Sequence, residues 1–277
     1  MSRSDVMTSG AARRGLTAFF TAFLLFLYLP SALLVLFSFN SGELPKFPLE
    51  GFTSHWFVDA WKTQALRTAL RNSVQIALAT SLLATALGLM TSLALARRRF
   101  RGHSLVTGFV LMPLVVPYVV LGVSLLILFS KGTIGVHPGL AAVILGHGVI
   151  TLPYTILLLL PRLAGIDRSL DEAARDLGAS PLFRFRRITL PLIMPALLAS
   201  FIISFVLSID EFAIASFLVG NTTTYPVYLF SQLRFASRLP LVIAFATVMI
   251  TFTFLMVIAA EIIRRRGDRR LAPAEPG

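Results

Sequence analysis

Residues 167–197 read DRSLDEAARDLGASPLFRFRRITLPLIMPAL, and their local signals predict two short helices in immediate succession. Ser169 and Glu172 form a capping box, in which each side chain bonds the backbone amide of the other. Gly178 supplies the left-handed residue that commonly ends a helix. The Ser-Pro pair that follows is typical of the first turn of a new helix. We therefore expect two helices separated by a tight turn at Gly178.

The first of these helices carries a small apolar face. Its members recur at i, i+3, i+4 and i+7, the spacing of one helical face: Leu170, Ala173, Ala174 and Leu177. On the opposite side, Asp171 and Arg175 are spaced for an i,i+4 ion pair. Helices that lie on lipid headgroups favour bulky apolar residues with basic flanks. A face centred on alanine, with acidic residues beside it, instead favours docking to another protein.

The composition of the whole chain is that of a membrane protein. Its 277 residues are 56% hydrophobic and 14% charged, with a mean hydropathy of +0.81. Soluble domains carry about 25% charged residues. The chain has no cysteine, which excludes disulfides and thiolate metal sites. We interpret its net charge of +12 as arginine that flanks membrane spans, and we do not expect a nucleic-acid partner.

Six apolar segments are long enough to cross a bilayer as helices, which takes about 20 residues. They are residues 16–38, 72–96, 104–130, 140–163, 191–219 and 240–263. The prolines in or beside them predict ordinary kinks: Pro30, Pro113, Pro117, Pro153, Pro161, Pro191 and Pro195. Between the first two segments, Trp56, Phe57 and Trp61 predict a short helix in the membrane interface. The predicted fold is all-α, with six transmembrane helices and a short helix between spans four and five.

The distribution of basic residues predicts the orientation of the spans. Of the 25 Lys and Arg residues, seven fall on one side: Lys46, Lys62, Arg67, Arg71, Lys131, Arg234 and Arg238. The rest fall at the ends that include both termini and the stretch quoted above. Because basic loops stay in the cytoplasm, we expect cytoplasmic tails at residues 1–15 and 264–277. The transmembrane domain then comprises residues 16–263, and its loop at residues 164–190 is cytoplasmic.

The quoted stretch resembles the EAA loop of binding-protein-dependent ABC importer permeases. The anchor residues of that motif are all present at their usual spacing: Glu172, Ala173, Ala174, Gly178, Ile188, Leu190 and Pro191. The resemblance implies a MetI-like ABC permease fold in the bacterial inner membrane. It also implies that residues 164–190, here called the coupling loop, contain the coupling helix that seats in a groove of an ATPase subunit.

The resemblance further implies a set of partners. These are a second permease subunit, in a homodimer or a heterodimer, two ATP-binding-cassette subunits, and a periplasmic or lipid-anchored substrate-binding protein. The chain itself has no Walker A motif, because none of Lys46, Lys62 and Lys131 follows glycine. We therefore expect a transport subunit and not an enzyme. ATP and Mg²⁺ are expected on the partner ATPase, with no cofactor or metal on this chain.

Asp210 and Glu211 stand out in the fifth predicted span. A carboxylate at the centre of a membrane helix costs roughly 2.5–3.5 kcal/mol on insertion scales. Two adjacent ones are therefore expected to face a polar pathway, a basic group of a partner subunit, or the water boundary. A pathway for a cation would compensate their charge.

Several strings resemble the spermidine and putrescine branch of the ABC permease family. They are YLPSALLVLFSFN, RFRGHSLVTGFVLMPLVVPYVVLGVSLLILF and SIDEFAIASFLVG, the last of which contains Asp210 and Glu211. This resemblance implies import of a small organic cation such as a polyamine, with both acids in the substrate path. Related permeases carry phosphonates, thiamine or iron complexes, and these solutes are the alternative substrates for this chain.

A different class of protein is also considered, a proton-coupled secondary transporter that acts alone. It would use Asp210, Glu211 and His147 as relay groups. For His147, we favour a buried histidine that is hydrogen-bonded across helices over a relay or metal role.

Overall fold

The computed structural model describes residues 10–97, 101–130 and 135–269, and these residues are mostly helical. Parts of the predicted tails at 1–15 and 264–277, and the basic residues Arg98, Arg99 and Lys131, lie outside the described residues. The helices are α1 (Gly10–Ser38), α2 (His55–Lys62), α3 (Gln64–Arg97), α4 (His103–Leu111), α5 (Tyr118–Ser130), α6 (Leu140–Ala164), α7 (Arg168–Asp176), α8 (Pro181–Arg184), α9 (Leu190–Ile209), α10 (Ala213–Leu218), α11 (Tyr225–Gln232) and α12 (Leu239–Arg269).

Among the described residues, five helices are long and apolar enough to span a membrane, or up to six if one bent pair counts as a span. The predicted first, fourth and sixth spans correspond to α1, α6 and α12. The second span was predicted to start at residue 72, whereas α3 starts at Gln64. Leu66 and Ala69 are buried one turn apart at this end of α3, and their packing extends the helix beyond its most apolar part.

The predicted third span is broken. α4 ends at Leu111, a short 3₁₀ turn follows at Met112–Leu114, and α5 begins at Tyr118 at an angle of 104°. Pro113 and Pro117 flank the bend, and each lacks the amide hydrogen that a continuing helix needs. The prediction of an ordinary kink was therefore wrong at this position, and the predicted third span is present only if the two bent helices are counted as one span.

The predicted fifth span, residues 191–219, was wrong at both ends. A continuous apolar helix of 29 residues starts at Pro181 and stops at Ile209. It joins α8 and α9 through a π-helical segment at Phe185–Thr189. Residues 210–212 then interrupt the helix, and α10 starts at Ala213. Asp210 and Glu211 therefore lie in a helix break and not inside a continuous span.

The chain forms two compact units. Among the described residues, one unit comprises 10–63 together with Gln232–Met249, and the other comprises Gln64–Ser231 together with 250–269. In the first unit, the short helix predicted around Trp56 and Trp61 is present as α2. The indole of Trp56 donates to the carbonyl oxygen of Asn40 over 2.9 Å, and the Asn40 side-chain oxygen accepts from the Glu50 amide over 3.0 Å.

In the second unit, α3, α6 and α9 pack closely through small and hydroxyl-bearing residues. A Cβ atom added at Gly88 on α3 would lie 2.4 Å from Cγ2 of Thr155 on α6, so only glycine fits there. The Thr155 hydroxyl lies 3.0 Å from the hydroxyl of Ser204 on α9. Small residues and interhelical hydroxyl bonds are typical of helix contacts in membranes.

The short helix α10 packs between α5 and α6 in the same unit. A Cβ added at Gly146 of α6 would lie 2.6 Å from Leu218, and one at Gly122 of α5 would lie 2.7 Å from Phe217. Ile214 of α10 is fully buried in this cluster. The residues that follow the break at 210–212 are thus fixed in the core of the unit.

Candidate functional site

The N-terminus of α7 is capped by a different residue from the one predicted. Asp167, and not Ser169, is the N-cap, and its Oδ1 accepts from the Ser169 amide over 2.9 Å. This hydrogen bond lowers the pKa of the exposed Asp167 carboxyl. The predicted capping box of Ser169 and Glu172 was therefore wrong, and the Glu172 side chain is exposed.

The C-terminus of α7 has the predicted glycine turn. Gly178 has φ of +78°, the left-handed region that favours glycine. The Ala179 amide donates to the Ala174 carbonyl over 3.0 Å, and the Gly178 amide donates to the Arg175 carbonyl over 2.9 Å. These two bonds form a Schellman motif. Ser180 caps α8 as predicted, since its hydroxyl accepts from the Phe183 amide over 3.3 Å.

A charged pair connects α7 to α8. Nη1 of Arg184 lies 2.5 Å from Oδ2 of Asp171, and the Arg184 side chain is only 17% exposed. The sequence predicted Arg175 as the partner of Asp171, and that prediction was wrong, because α8 folds back against the first turns of α7. The pair ties the end of α8 back to the first half of α7, across the turn at Gly178.

The coupling loop exposes the apolar face that its sequence predicted. Leu177 is 88% exposed, and Leu170 and Leu182 are also exposed. Glu172 and Ala173 are exposed beside them, and Ala174 is partly exposed. No helix of the described chain covers these leucines. A cavity of about 1390 Å³ adjoins the acidic side of α7 and includes Asp171, Glu172 and Arg175 in its lining.

The C-terminal half of the motif is braced against the spans. Thr189 is buried at the end of the π-helical segment, and its hydroxyl accepts from Nη2 of Arg97 at the end of α3 over 2.8 Å. Nε of Arg162 on α6 donates to the Leu192 carbonyl over 3.1 Å. Ile188 lies in the π-helical segment, whereas Leu190 and Pro191 form the first turn of α9. The coupling loop is therefore bonded to the ends of α3 and α6 and is continuous with α9.

The two acids in the break after α9 have opposite surroundings. Glu211 is 7% exposed, and its carboxylate accepts from the amides of Ile214 and Ala215 over 2.9 and 3.0 Å. Asp210 is exposed, and the Tyr225 hydroxyl donates to its Oδ1. The structure therefore separates two residues that the sequence grouped as one acidic pair.

His147 lies beneath the break and is fully buried. Its Nδ1 lies 2.8 Å from the Ser208 hydroxyl of α9, and its Nε2 lies 3.2 Å from Oε2 of Glu211. The expectation of a buried histidine hydrogen-bonded across helices is confirmed. Its contact with Glu211 was missed, because the two residues are far apart in sequence.

Aromatic side chains surround the break. α5 begins at Tyr118, and further along it Gly122 lies against Phe217 and Ile214 of α10, just after the break. Phe212 and Phe230 have ring centroids 4.7 Å apart. The bend between α4 and α5 and the break after α9 therefore meet at one place. Breaks in membrane helices are tolerated where they are buried in protein or line a polar cavity, which makes this place a candidate substrate contact.

Apolar helices that carry an exposed helix pair braced against three of them fit a membrane transport subunit. The chain matches the family model described as "Binding-protein-dependent transport system inner membrane component" over residues 84–269. It belongs to this family, and it is a permease subunit of an ABC importer. The proton-coupled transporter acting alone is therefore not the class of this protein.

Curated relatives align over most of the chain. The chain is 35% identical over 248 residues to the spermidine/putrescine transport system permease protein PotC of Escherichia coli K12, covering 89% of this chain and 92% of that protein. It is 35% identical over 251 residues to the putrescine transport system permease protein PotI of the same strain, covering 88% of this chain and 89% of the relative.

Solved structures share the fold. A bacterial ABC transporter involved in the import of the acidic polysaccharide alginate matches with a TM-score of 0.70 at 17% identity, covering 94% of this chain and 98% of that chain. The MetNI methionine ABC transporter, in an inward-facing conformation, matches with a TM-score of 0.54 at 21% identity, covering 74% of this chain and 94% of that chain. The all-α, MetI-like ABC permease fold is thus confirmed.

Proposed function

We propose that this permease subunit imports a small organic cation, a polyamine such as spermidine or putrescine. We also propose that its coupling loop binds a separate ATPase subunit and moves when that ATPase binds and hydrolyses ATP. The observation that carries the proposal is the exposed apolar face of α7, which is held on a helix pair braced against three spans. The polyamine substrate is proposed from the names of the relatives. In this chain, the exposed carboxylate of Asp210 can bind an ammonium group.

The chemistry of α7 favours a protein groove as its binding site. Ala173 is exposed at the centre of the face, and the flanking Leu177 is 88% exposed. A small side chain at the centre lets a partner's backbone approach closely, while the leucines fill pockets on either side. Glu172 is exposed at the edge of this face, where it is available to a basic or amide group of the partner.

The proposed assembly contains two permease subunits, two ATPase subunits that bind ATP and Mg²⁺, and an external substrate-binding protein. The coupling loop and both tails lie in the cytoplasm, as the basic residues predict. In this assembly, closure of the ATPase pair on ATP displaces α7. The Asp171–Arg184 and Arg97–Thr189 contacts pass that displacement to α8, α9 and α3.

Asp210 is the proposed contact for the substrate's ammonium group. Its carboxylate is exposed in a helix break and already accepts a hydrogen bond from Tyr225. The rings of Phe212, two residues further on, and Phe230 have centroids 4.7 Å apart, and aromatic ring faces attract ammonium groups. Both carboxylate oxygens of Glu211 already accept hydrogen bonds within the chain. Of the two acids, only Asp210 is therefore proposed to contact the substrate directly. Phosphonates, thiamine and iron complexes are the alternative substrates.

The coupling role is tested in proteoliposomes that contain the complete importer. Gly178→Val places a β-branched residue at φ of +78°, which a Cβ-bearing residue adopts only under strain. We expect normal membrane insertion and loss of ATP-driven uptake in Gly178→Val, and a similar loss in Glu172→Ala. Gly108→Val is the matched control, because a Cβ atom there meets nothing within 4 Å. Wild-type uptake in both coupling variants would refute the role.

The substrate is tested by uptake of radiolabelled putrescine and spermidine. We expect Asp210→Asn to raise KM for both amines while the amount of assembled complex is unchanged. Ser216→Ala, an exposed change one turn into α10, serves as the control. Failure of the wild-type importer to take up either amine, with retained ATPase activity, would refute the polyamine assignment and direct the search to the alternative substrates.

A further inference from the structure

Glu211 is held by more groups than a structural carboxylate at a helix end requires. Each oxygen accepts from one backbone amide of α10, at 2.9 Å from Ile214 and 3.0 Å from Ala215. Oε2 also lies 3.2 Å from Nε2 of His147. A buried carboxylate is costly unless it is compensated in this way. The Glu211 side chain therefore has one well-defined position.

His147 connects this carboxylate to the helix on the other side of the break. Its Nδ1 lies 2.8 Å from the hydroxyl of Ser208, in the last turn of α9. The neighbouring Gly146 has no room for a Cβ, because Leu218 and Ile214 of α10 lie against it. One imidazole on α6 thus holds the end of α9 and, through Glu211, the start of α10.

Asp210 is the C-cap of α9, where its amide donates to the Val206 carbonyl over 3.3 Å and its carboxylate accepts from the Tyr225 hydroxyl. It directly precedes Glu211, and it is exposed while Glu211 is buried. In a continuous helix, consecutive residues would lie about 100° apart on a single helical surface. The break allows the two carboxylates to point in different directions, one into the protein and one away from it.

We propose that Glu211 and His147 are positioning residues for the substrate path, and that together they hold the break after α9 open so that Asp210 faces the path. The inference rests on the proposed function for one point, that a substrate path passes Asp210. The orientation of residue 210 does not depend on it, because that orientation is measured without any substrate. It assigns the two adjacent acids different tasks, with contact at Asp210 and alignment at Glu211.

The orientation is tested by thiol labelling of Asp210→Cys in the assembled importer. The chain contains no cysteine, so a membrane-impermeant thiol reagent labels this chain only at the new position. Labelling is compared in the presence of Glu211→Gln and of His147→Gln. In Glu211→Gln, an amide NH₂ faces a backbone amide donor, which removes one charge-assisted bond. We expect labelling to be slower by at least about tenfold, the lower end of the factor that one hydrogen bond to a charged group supplies.

Two comparisons keep this test specific. Ser216→Ala removes a hydrogen bond within α10, from its hydroxyl to the Ala213 carbonyl, but not the contact between helices. We expect it to leave the labelling rate of position 210 unchanged. Unchanged or faster labelling in both the Glu211 and His147 variants would overturn the proposal. Equal slowing by Ser216→Ala would also overturn it, because the effect would then be general loosening of α10.

Transport kinetics test the same inference by a second readout. With putrescine as the probe, Glu211→Gln is expected to raise KM in the wild-type background and to have little further effect when Asp210→Asn is present. Independent, multiplying effects on KM would mean that Glu211 contacts the substrate itself, and would overturn the positioning role. If the wild type takes up no putrescine, the proposed substrate fails while the labelling result still decides the positioning role.

Discussion

The contact between Asp171 and Arg184 provides the sharpest test of how the coupling loop works. Arg184 donates to the Asp171 carboxylate over 2.5 Å, and the two side chains are 38% and 17% exposed for Asp171 and Arg184 respectively. This pair determines how α7 is directed relative to α8. Arg184→Ala removes it while leaving the exposed apolar face of α7 intact.

The expected size of the effect follows from the exposure of the pair. Fully exposed ion pairs contribute about 0–1 kcal/mol, and hydrogen bonds to charged groups contribute about 1.5–3 kcal/mol. A pair with one largely buried member lies between these ranges, at about 1–2 kcal/mol. That free energy corresponds to a factor of about 5–30 in the fraction of loops with α7 correctly directed.

The assay is ATP-driven uptake by the reconstituted importer, measured together with ATP hydrolysis. We expect Arg184→Ala to lower uptake per ATP hydrolysed by about 5- to 30-fold, in line with a cost of about 1–2 kcal/mol. The amount of protein in the membrane should not change. Arg186→Ala is the matched control, because it removes an exposed positive charge two residues away without breaking the pair.

A double-mutant cycle with Asp171→Ala separates the pair from the effects of the single residues. If the contact directs α7, the double variant is impaired no more than either single variant. Independent effects of the two substitutions, or an equal loss in Arg186→Ala, would refute the reasoning.

Two further changes test the packing of the spans and the cap of the coupling helix. Gly88→Ala places a Cβ 2.4 Å from Thr155, and in detergent it should lower the free energy of unfolding by about 1–3 kcal/mol, as overpacking of a core does. Gly148→Ala is the control and should change little, because the nearest atom to its added Cβ is 3.7 Å away. Equal stability of the two variants would contradict the described packing. Asp167→Ala should reduce ATP-coupled uptake, because α7 loses its N-cap. Asp167→Asn should keep normal uptake, because asparagine also caps helices. A similar loss of uptake in both variants would show that the charge of Asp167 matters and not its cap.

The local parts of the coupling loop were predictable from the sequence. Gly178 and Ser180 act through atoms only a few residues away, and the structure confirms both. The N-cap was misassigned because Asp167 offers the same acceptor chemistry two residues before Ser169. The partner of Asp171 could not be read from helical spacing, since it depends on how α8 folds back after the turn.

The helix breaks were beyond the reach of hydropathy alone. Apolar residues continue on both sides of residues 210–212, so a sliding window joins α9 and α10 into one span. The break is stabilised by His147, which lies on another helix and is 61 residues from its partner Ser208. The bend before α5 did leave a signal, because Pro113 and Pro117 are one turn apart and each removes a backbone donor.

The central claim is that the exposed face of α7 is covered by the ATPase. Thiol labelling of Ala173→Cys measures this directly, because the chain has no other cysteine and position 173 is exposed. The account predicts fast labelling in the permease pair alone and strong protection once the ATPase subunits of the same importer are bound. Equal labelling rates with and without the ATPase, in complexes shown to be assembled, would contradict it.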